Sequence, residues 1–282
     1  MEEIVLTHDK VLQLLPDRAA DSHKGDYGRV LILAGSCGYT GAPCFVANGA
    51  LRSGAGLVTL LVPNCVYLVV AGKLDEAMVK PLPSIHGKLA SWSLHKISKE
   101  LNRADVLVVG PGLGQSQGVR KVVLWLLKNF NGPIVLDADG INVLSGHMDI
   151  LRGRTAPTIL TPHPGEFQRI VGNLSEDRAQ QAVAFAKEFG CVLVLKGHRT
   201  IVTDGMQIYH NPTGNPGMAV GGSGDVLSGV IASLVGQGLK LMDAASCGVW
   251  IHGAAGDICA KEIGQYGMLP SDMLLAMPRL FK

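Results

Sequence analysis

Apolar residues fall into short uninterrupted runs, separated by stretches in which apolar and polar positions recur at helical spacing. The runs RVLILAG at 29–35, LVTLLV at 57–62, DVLVVG at 105–110, PIVLDA at 133–138, PTILTP at 157–162 and CVLVLKG at 191–197 read as buried strands. TIVTDGMQIYH at 200–210 alternates instead, and its Asp204-Gly205 pair predicts a two-residue hairpin. Between the runs, residues 41–53 are rich in small side chains and predict a helix packed closely on a sheet. Residues 117–129 set Val119, Val122, Val123, Leu126 and Leu127 on one helical face. Residues 175–189 open with Ser175, Glu176 and Asp177, a cap with an acidic first turn. Residues 224–237 and 243–263 are apolar enough to predict two helices buried in the middle of the fold. Strands alternating with helices predict an α/β fold, a mostly parallel central sheet with helices on both faces. No linker, repeat or low-complexity tract interrupts the pattern, so residues 1–282 read as one domain.

Composition narrows the classes. Apolar residues make up 47% of the chain and charged residues 17%, enough for a large core. The 36 glycines cluster between apolar runs without a collagen period, as tight strand-to-helix turns require. A formal charge of +2 with no Lys/Arg block argues against a nucleic-acid partner. No long uncharged apolar segment suggests a membrane span, and MEEIVLTHDK lacks a signal core, so a cytoplasmic protein is expected. The six cysteines show neither a Cys-x-x-Cys pair nor zinc spacing, and read as reduced core or surface thiols.

The densest chemistry lies in NPTGNPGMAVGGSGDVLSGVIASL from residue 211. Gly221, Gly222 and Gly224 precede Asp225 and an apolar helix. A glycine-rich turn opening a helix presents free amides and the positive end of the helix dipole, a site for a phosphate. Asp225 can be a simple helix cap. A fixed carboxylate would weaken an anion site, however, unless it served as general base towards a hydroxyl. No Walker A pattern occurs, and GPGLGQ at 110–115 is an incomplete dinucleotide fingerprint.

These residues carry a resemblance. GGSGD resembles the anion hole and catalytic aspartate of ribokinase-like kinases. Together with KGDYGRVLILAGS at 24–36, GPGLG at 110–114, LDADGINVL at 136–144, TPHPGEF at 161–167, LKGHRT at 195–200 and GNPGMAVGGSGDVLSG, it is similar to the ADP/ATP-dependent NAD(P)H-hydrate dehydratase family. Pro216 and Val220 depart from the usual NAGMATGGSGD, and neither removes a catalytic group.

The resemblance implies a ribokinase-like fold and repair of the S-epimer of NADH or NADPH hydrate. The C6 hydroxyl would be phosphorylated by ADP or ATP with Mg²⁺, and the phosphate eliminated. Asp225 would deprotonate that hydroxyl while the amides of Gly222, Ser223 and Gly224 hold the phosphoryl group. Lys196, Gly197, His198, Arg199 and Thr200, with Asn215, Gly221 and Gly224, would bind the nucleotide. Ala42, Gly112 and His163 would face the nicotinamide, and Glu166 would hold magnesium through water. For Ala42 and Gly112, simple helix–sheet packing is the alternative. Asp137 and Asp139 read as a structural carboxylate and a helix cap, with a catalytic pair as the other option. His252 reads as a satisfied core histidine. ADP is the expected donor, a homotetramer the expected assembly, and epimerase activity is expected on a separate protein. A small-molecule kinase of the same fold is the second reading. A silent nucleotide-binding protein and a Rossmann oxidoreductase are the others; the latter would need no ADP or ATP.

Overall fold

The apolar runs become the middle of one sheet because side chains alternate between its faces and both faces are covered. The computed structural model describes residues 2–282. Its strands are β1 (Glu2–Ile4), β2 (Arg29–Leu33), β3 (Leu57–Pro63), β4 (Met78–Leu82), a short ribbon of β5 (Ser84–Ile85) and β6 (Lys88–Leu89), β7 (Val106–Val109), β8 (Ile134–Leu136), β9 (Thr158–Leu160), β10 (Val192–Leu195), β11 (Ile201–Thr203) and β12 (Gln207–His210). The ten-stranded sheet runs in the order β1-β12-β11-β10-β9-β8-β7-β2-β3-β4. Only β11 runs against the rest, pairing antiparallel with both β10 and β12.

Val30, Ile32, Val58, Leu60, Val106 and Val108 point into one buried cluster; Leu31, Leu33, Leu61, Leu107 and Val109 point into the other. The chain covers the first face with α1 (His8–Leu14), α2 (Gly41–Arg52) and α3 (Tyr67–Ala71). It crosses to the second for α4 (Leu94–Leu101), α5 (Gln117–Asn129), α6 (Asp139–Asn142), α7 (Asp149–Arg152), α8 (Pro164–Val171) and α9 (Arg178–Phe189). It then returns for α10 (Ser223–Gly236), α11 (Leu241–Glu262) and α12 (Pro270–Ala276).

α2 and α10 touch backbone to backbone. A Cβ on Gly49 would stand 2.4 Å from the Val226 carbonyl oxygen, and one on Gly229 would stand 2.1 Å from that of Val46. This mutual approach sets the start of α10 over the carboxyl ends of the central strands.

Two expectations change. Asp177, not Ser175, caps α9, accepting from the Gln180 amide at 2.9 Å. The hairpin pairs Thr203 with Ile208, leaving a four-residue connection, because Asp204 Oδ1 accepts from both Met206 and Gln207 amides at 2.8 and 2.7 Å. No helix among the described residues is long and apolar enough to cross a membrane.

Candidate active site

At the carboxyl edge of the sheet, Asp137 directly follows β8, β9 leads to His163 and Glu166, and Lys196 directly follows β10. Open α/β sheets bind ligands at that edge. Lys196 Nζ lies 2.8 Å from Asp137 Oδ1, with their side chains 19% and 2% exposed. Asp137 also accepts from the Ser228 hydroxyl at 2.7 Å and from the Ala138 amide at 2.9 Å. Ala138, at φ 48° and ψ −118°, holds the turn in a strained left-handed form. Gly110 is needed beside it, since a Cβ there would stand 1.7 Å from the Asp137 carbonyl oxygen.

Asp225 enters this cluster from the first turn of α10. Burial, with Asp137 next, Lys196 opposing and Glu166 adding, pushes its carboxyl up to about 7. Burial works against the charge on Lys196, but Asp137, Glu166 and Asp225 outweigh it and hold the ammonium above the usual lysine range. The result is a base poised near neutrality beside a permanent cation, the tuning that general-base chemistry requires.

The turn itself is open to an anion. Gly222 takes φ 98°, and a Cβ there would strike the Phe45 ring at 2.6 Å. The Ser223 amide donates to Val220 O at 3.3 Å. Among the described residues the amides of Gly221, Gly222, Gly224 and Asp225 have no intramolecular acceptor. Of the expected trio from Gly222 to Gly224, two amides are free and that of Ser223 is engaged, while the Asp225 amide is free as well. Lys196 stands close to this turn: its Nζ would be 3.2 Å from a Cβ on Gly224.

Behind the turn, buried His252 places Nε2 2.8 Å from Ser223 O and 3.3 Å from Ser223 Oγ. The carbonyl can only accept, so Nε2 carries the hydrogen. Burial pushes this imidazole down to about 4, opposed by the Ser223 bond and aided by Lys196, so it stays neutral. Asn215 is held by Asp257, its Nδ2 donating to Oδ1 at 3.0 Å while the Gly214 amide donates to Oδ2 at 2.9 Å. His252 and Asp257 both sit on α11; His252 is the satisfied core histidine that the sequence suggests, whereas nothing in the sequence singled out Asp257.

Ala42 and Gly112 come together: a Cβ on Gly112 would lie 3.1 Å from that of Ala42 and 2.8 Å from that of Tyr39. His163 is exposed, its Nδ1 accepting from the Gly165 amide at 3.0 Å. Buried Glu166 accepts from the His163 amide at 2.9 Å, closing a capping box on α8. Gly197, His198 and Arg199 form an exposed loop, with Arg199 at φ 52° and Thr200 Oγ1 bonded to Gly197 O at 3.1 Å. Asp139 is not the cap of α6; it accepts from the Gly114 amide at 2.7 Å and ties the GPGLG loop to that helix. A cavity of about 440 Å³ opens elsewhere, among Lys24, Arg29, Lys80 and Arg103 at the amino ends of β2 to β4, away from this chemistry.

Residues 30–279 match the family model described as NAD(P)H-hydrate dehydratase. The bifunctional NAD(P)H-hydrate repair enzyme Nnr of Moorella thermoacetica is 46% identical over 275 residues, covering 95% of this chain and 52% of that one. The chain thus spans about half the length of the curated relatives it matches. An ADP/ATP-dependent NAD(P)H-hydrate dehydratase from Bacillus subtilis, co-crystallised with ATP and Mg²⁺, superposes with a TM-score of 0.81 at 30% identity, covering 98% and 96% of the two chains. A ribokinase-like superfamily protein from Enterococcus faecalis gives a TM-score of 0.83 at 28% identity over 99% and 95%.

Proposed function

The chain belongs to the NAD(P)H-hydrate dehydratase family, and from that premise we propose that it restores hydrated NADH or NADPH by nucleotide-dependent phosphorylation and elimination. The observation that carries the reading is Asp225, a carboxyl pushed up to about 7 at the mouth of a glycine turn with free amides.

The substrate is a nicotinamide ring with a hydroxyl on C6. Asp225 takes the hydroxyl proton as the oxygen attacks the terminal phosphorus of ADP or ATP. The free amides of the turn and Lys196 face the phosphoryl group in flight. Asp137 and the Ser228 hydroxyl keep Lys196 in place, a positioning role. Phosphate then leaves with the C6–O bonding electrons, the ring nitrogen supplies its lone pair, and loss of a C5 proton restores the double bond. Hydroxide leaves poorly and phosphate well, so kinase machinery suits a dehydration.

Ala42 and Gly112 leave flat space for the ring, and His163 borders it. Asn215, Gly221 and the 197–200 loop border the nucleotide. Among the described residues no three His, Cys, Asp or Glu side chains converge as a metal cage. A magnesium ion arriving with the nucleotide would neutralise charge between phosphates, held by Glu166 through water.

The test is stoichiometry with prepared NADH hydrate. One orthophosphate and one nucleoside monophosphate per NADH are expected when ADP is the donor. A stable phosphorylated product without orthophosphate would support a small-molecule kinase instead.

A further inference from the structure

Two thiols stand apart from the other four. Cys37 and Cys65 are exposed, whereas Cys44, Cys191, Cys247 and Cys259 are buried. Burial pushes both Cys191 and Cys247 up to about 12, which leaves them inert. The exposed pair meets because β2 and β3 are parallel neighbours with Leu33 opposite Leu61, and each cysteine lies four residues further on. Cys37 Sγ donates to Cys65 Sγ at 3.4 Å.

We propose that Cys37 and Cys65 are a modification site, a dithiol that a low-molecular-weight disulfide oxidises to an intramolecular disulfide. The sulfurs must close to a bond length of about 2.05 Å, and exposed turns on both sides give that freedom. Cys37 holds its proton harder because of its bond to Cys65, so Cys65 is the first nucleophile. Its thiolate attacks one sulfur of the small disulfide and expels the other as a thiolate. Cys37 then loses its proton and attacks Cys65 Sγ, expelling the second small thiolate. Two electrons and two protons pass to the small disulfide, which becomes two thiols.

The cross-link would join the short turn after β3 to the turn that enters α2. That turn is closed by the Tyr39 amide on Ser36 O at 2.9 Å, and the Cys37 amide donates to Gly87 O at 2.9 Å. Tyr39 and Ala42 follow at once and abut Gly112, so the link borders the candidate site without touching Asp225.

The experiment is intact-mass and non-reducing peptide analysis of the whole folded protein after incubation with glutathione disulfide. A mass loss of about 2 Da, a Cys37–Cys65 peptide pair and reversal by dithiothreitol are expected. Cys37→Ser and Cys65→Ser should each instead retain one glutathione on the remaining thiol. Wild-type protein bearing glutathione adducts with no cross-link, or unchanged in mass, would overturn the proposal. The readout is covalent and independent of dehydratase activity.

Discussion

Asp225 carries a cost in stability that its proposed role as general base would explain. Its carboxyl binds a proton more tightly in the folded protein, near 7, than in the unfolded chain, near 4. The folded state therefore holds more protons between those values, and this group's contribution to stability falls as pH rises through that window. Asp225→Asn should be more stable than the parent at pH 8, by ~1 kcal/mol, with the gain fading towards pH 4. Denaturant melts at both pH values read this directly. His252 works in the opposite sense. Its folded value near 4 lies below the ordinary 6.5, so the unfolded chain takes up a proton that the folded one refuses. Its contribution is complete above 6.5 and is lost as pH falls towards 4. His252→Asn should flatten the stability curve across that window, measured by urea midpoints against pH. A slope unchanged by the substitution would mean the acid sensitivity resides elsewhere.

At the scale of elements, the active edge depends on how closely α2 and α10 approach. Gly49 and Gly229 each oppose a carbonyl oxygen of the other helix, so an added methyl has no soft neighbour to displace. Gly229→Ala should destabilise the protein by about 1–3 kcal/mol and lower activity too, because α10 carries Asp225. A wild-type urea midpoint would refute the tight contact. The sequence made these helices legible through their small residues, and the central strands through their apolar runs. It hid the edges. β1 is only Glu2–Ile4, and β4 mixes Lys80 and Pro81 into an edge strand in which only Leu82 is fully buried, so no continuous apolar run marks it. α8 was missed because His163, an unusual cap, opens it ahead of Pro164.

Across the whole molecule, local motifs announced the site but not its wiring. The glycine turn and Asp225 are contiguous, so their chemistry could be read directly. Asp137 meets Ser228 across 91 positions, and His252 meets Ser223 across 29, contacts that exist only once the sheet is wound. The ammonium of Lys196 meets Asp137 for the same reason, since β8 and β10 flank β9 and bring the two side chains together. The sheet therefore brings together a carboxyl near neutrality, an ammonium and a turn with free amides from strands and a helix far apart in the chain.

The most direct measurement is absorbance at the reduced-nicotinamide band after mixing the protein with NADH hydrate, Mg²⁺ and either ADP or ATP, beside the Asp225→Asn variant. The expected result is a rise that requires nucleotide and identifies the donor. In the variant it should slow about 1000-fold while nucleotide binding is retained. No rise with either nucleotide from folded protein, or an Asn variant that turns over normally, would contradict a hydroxyl activated by Asp225.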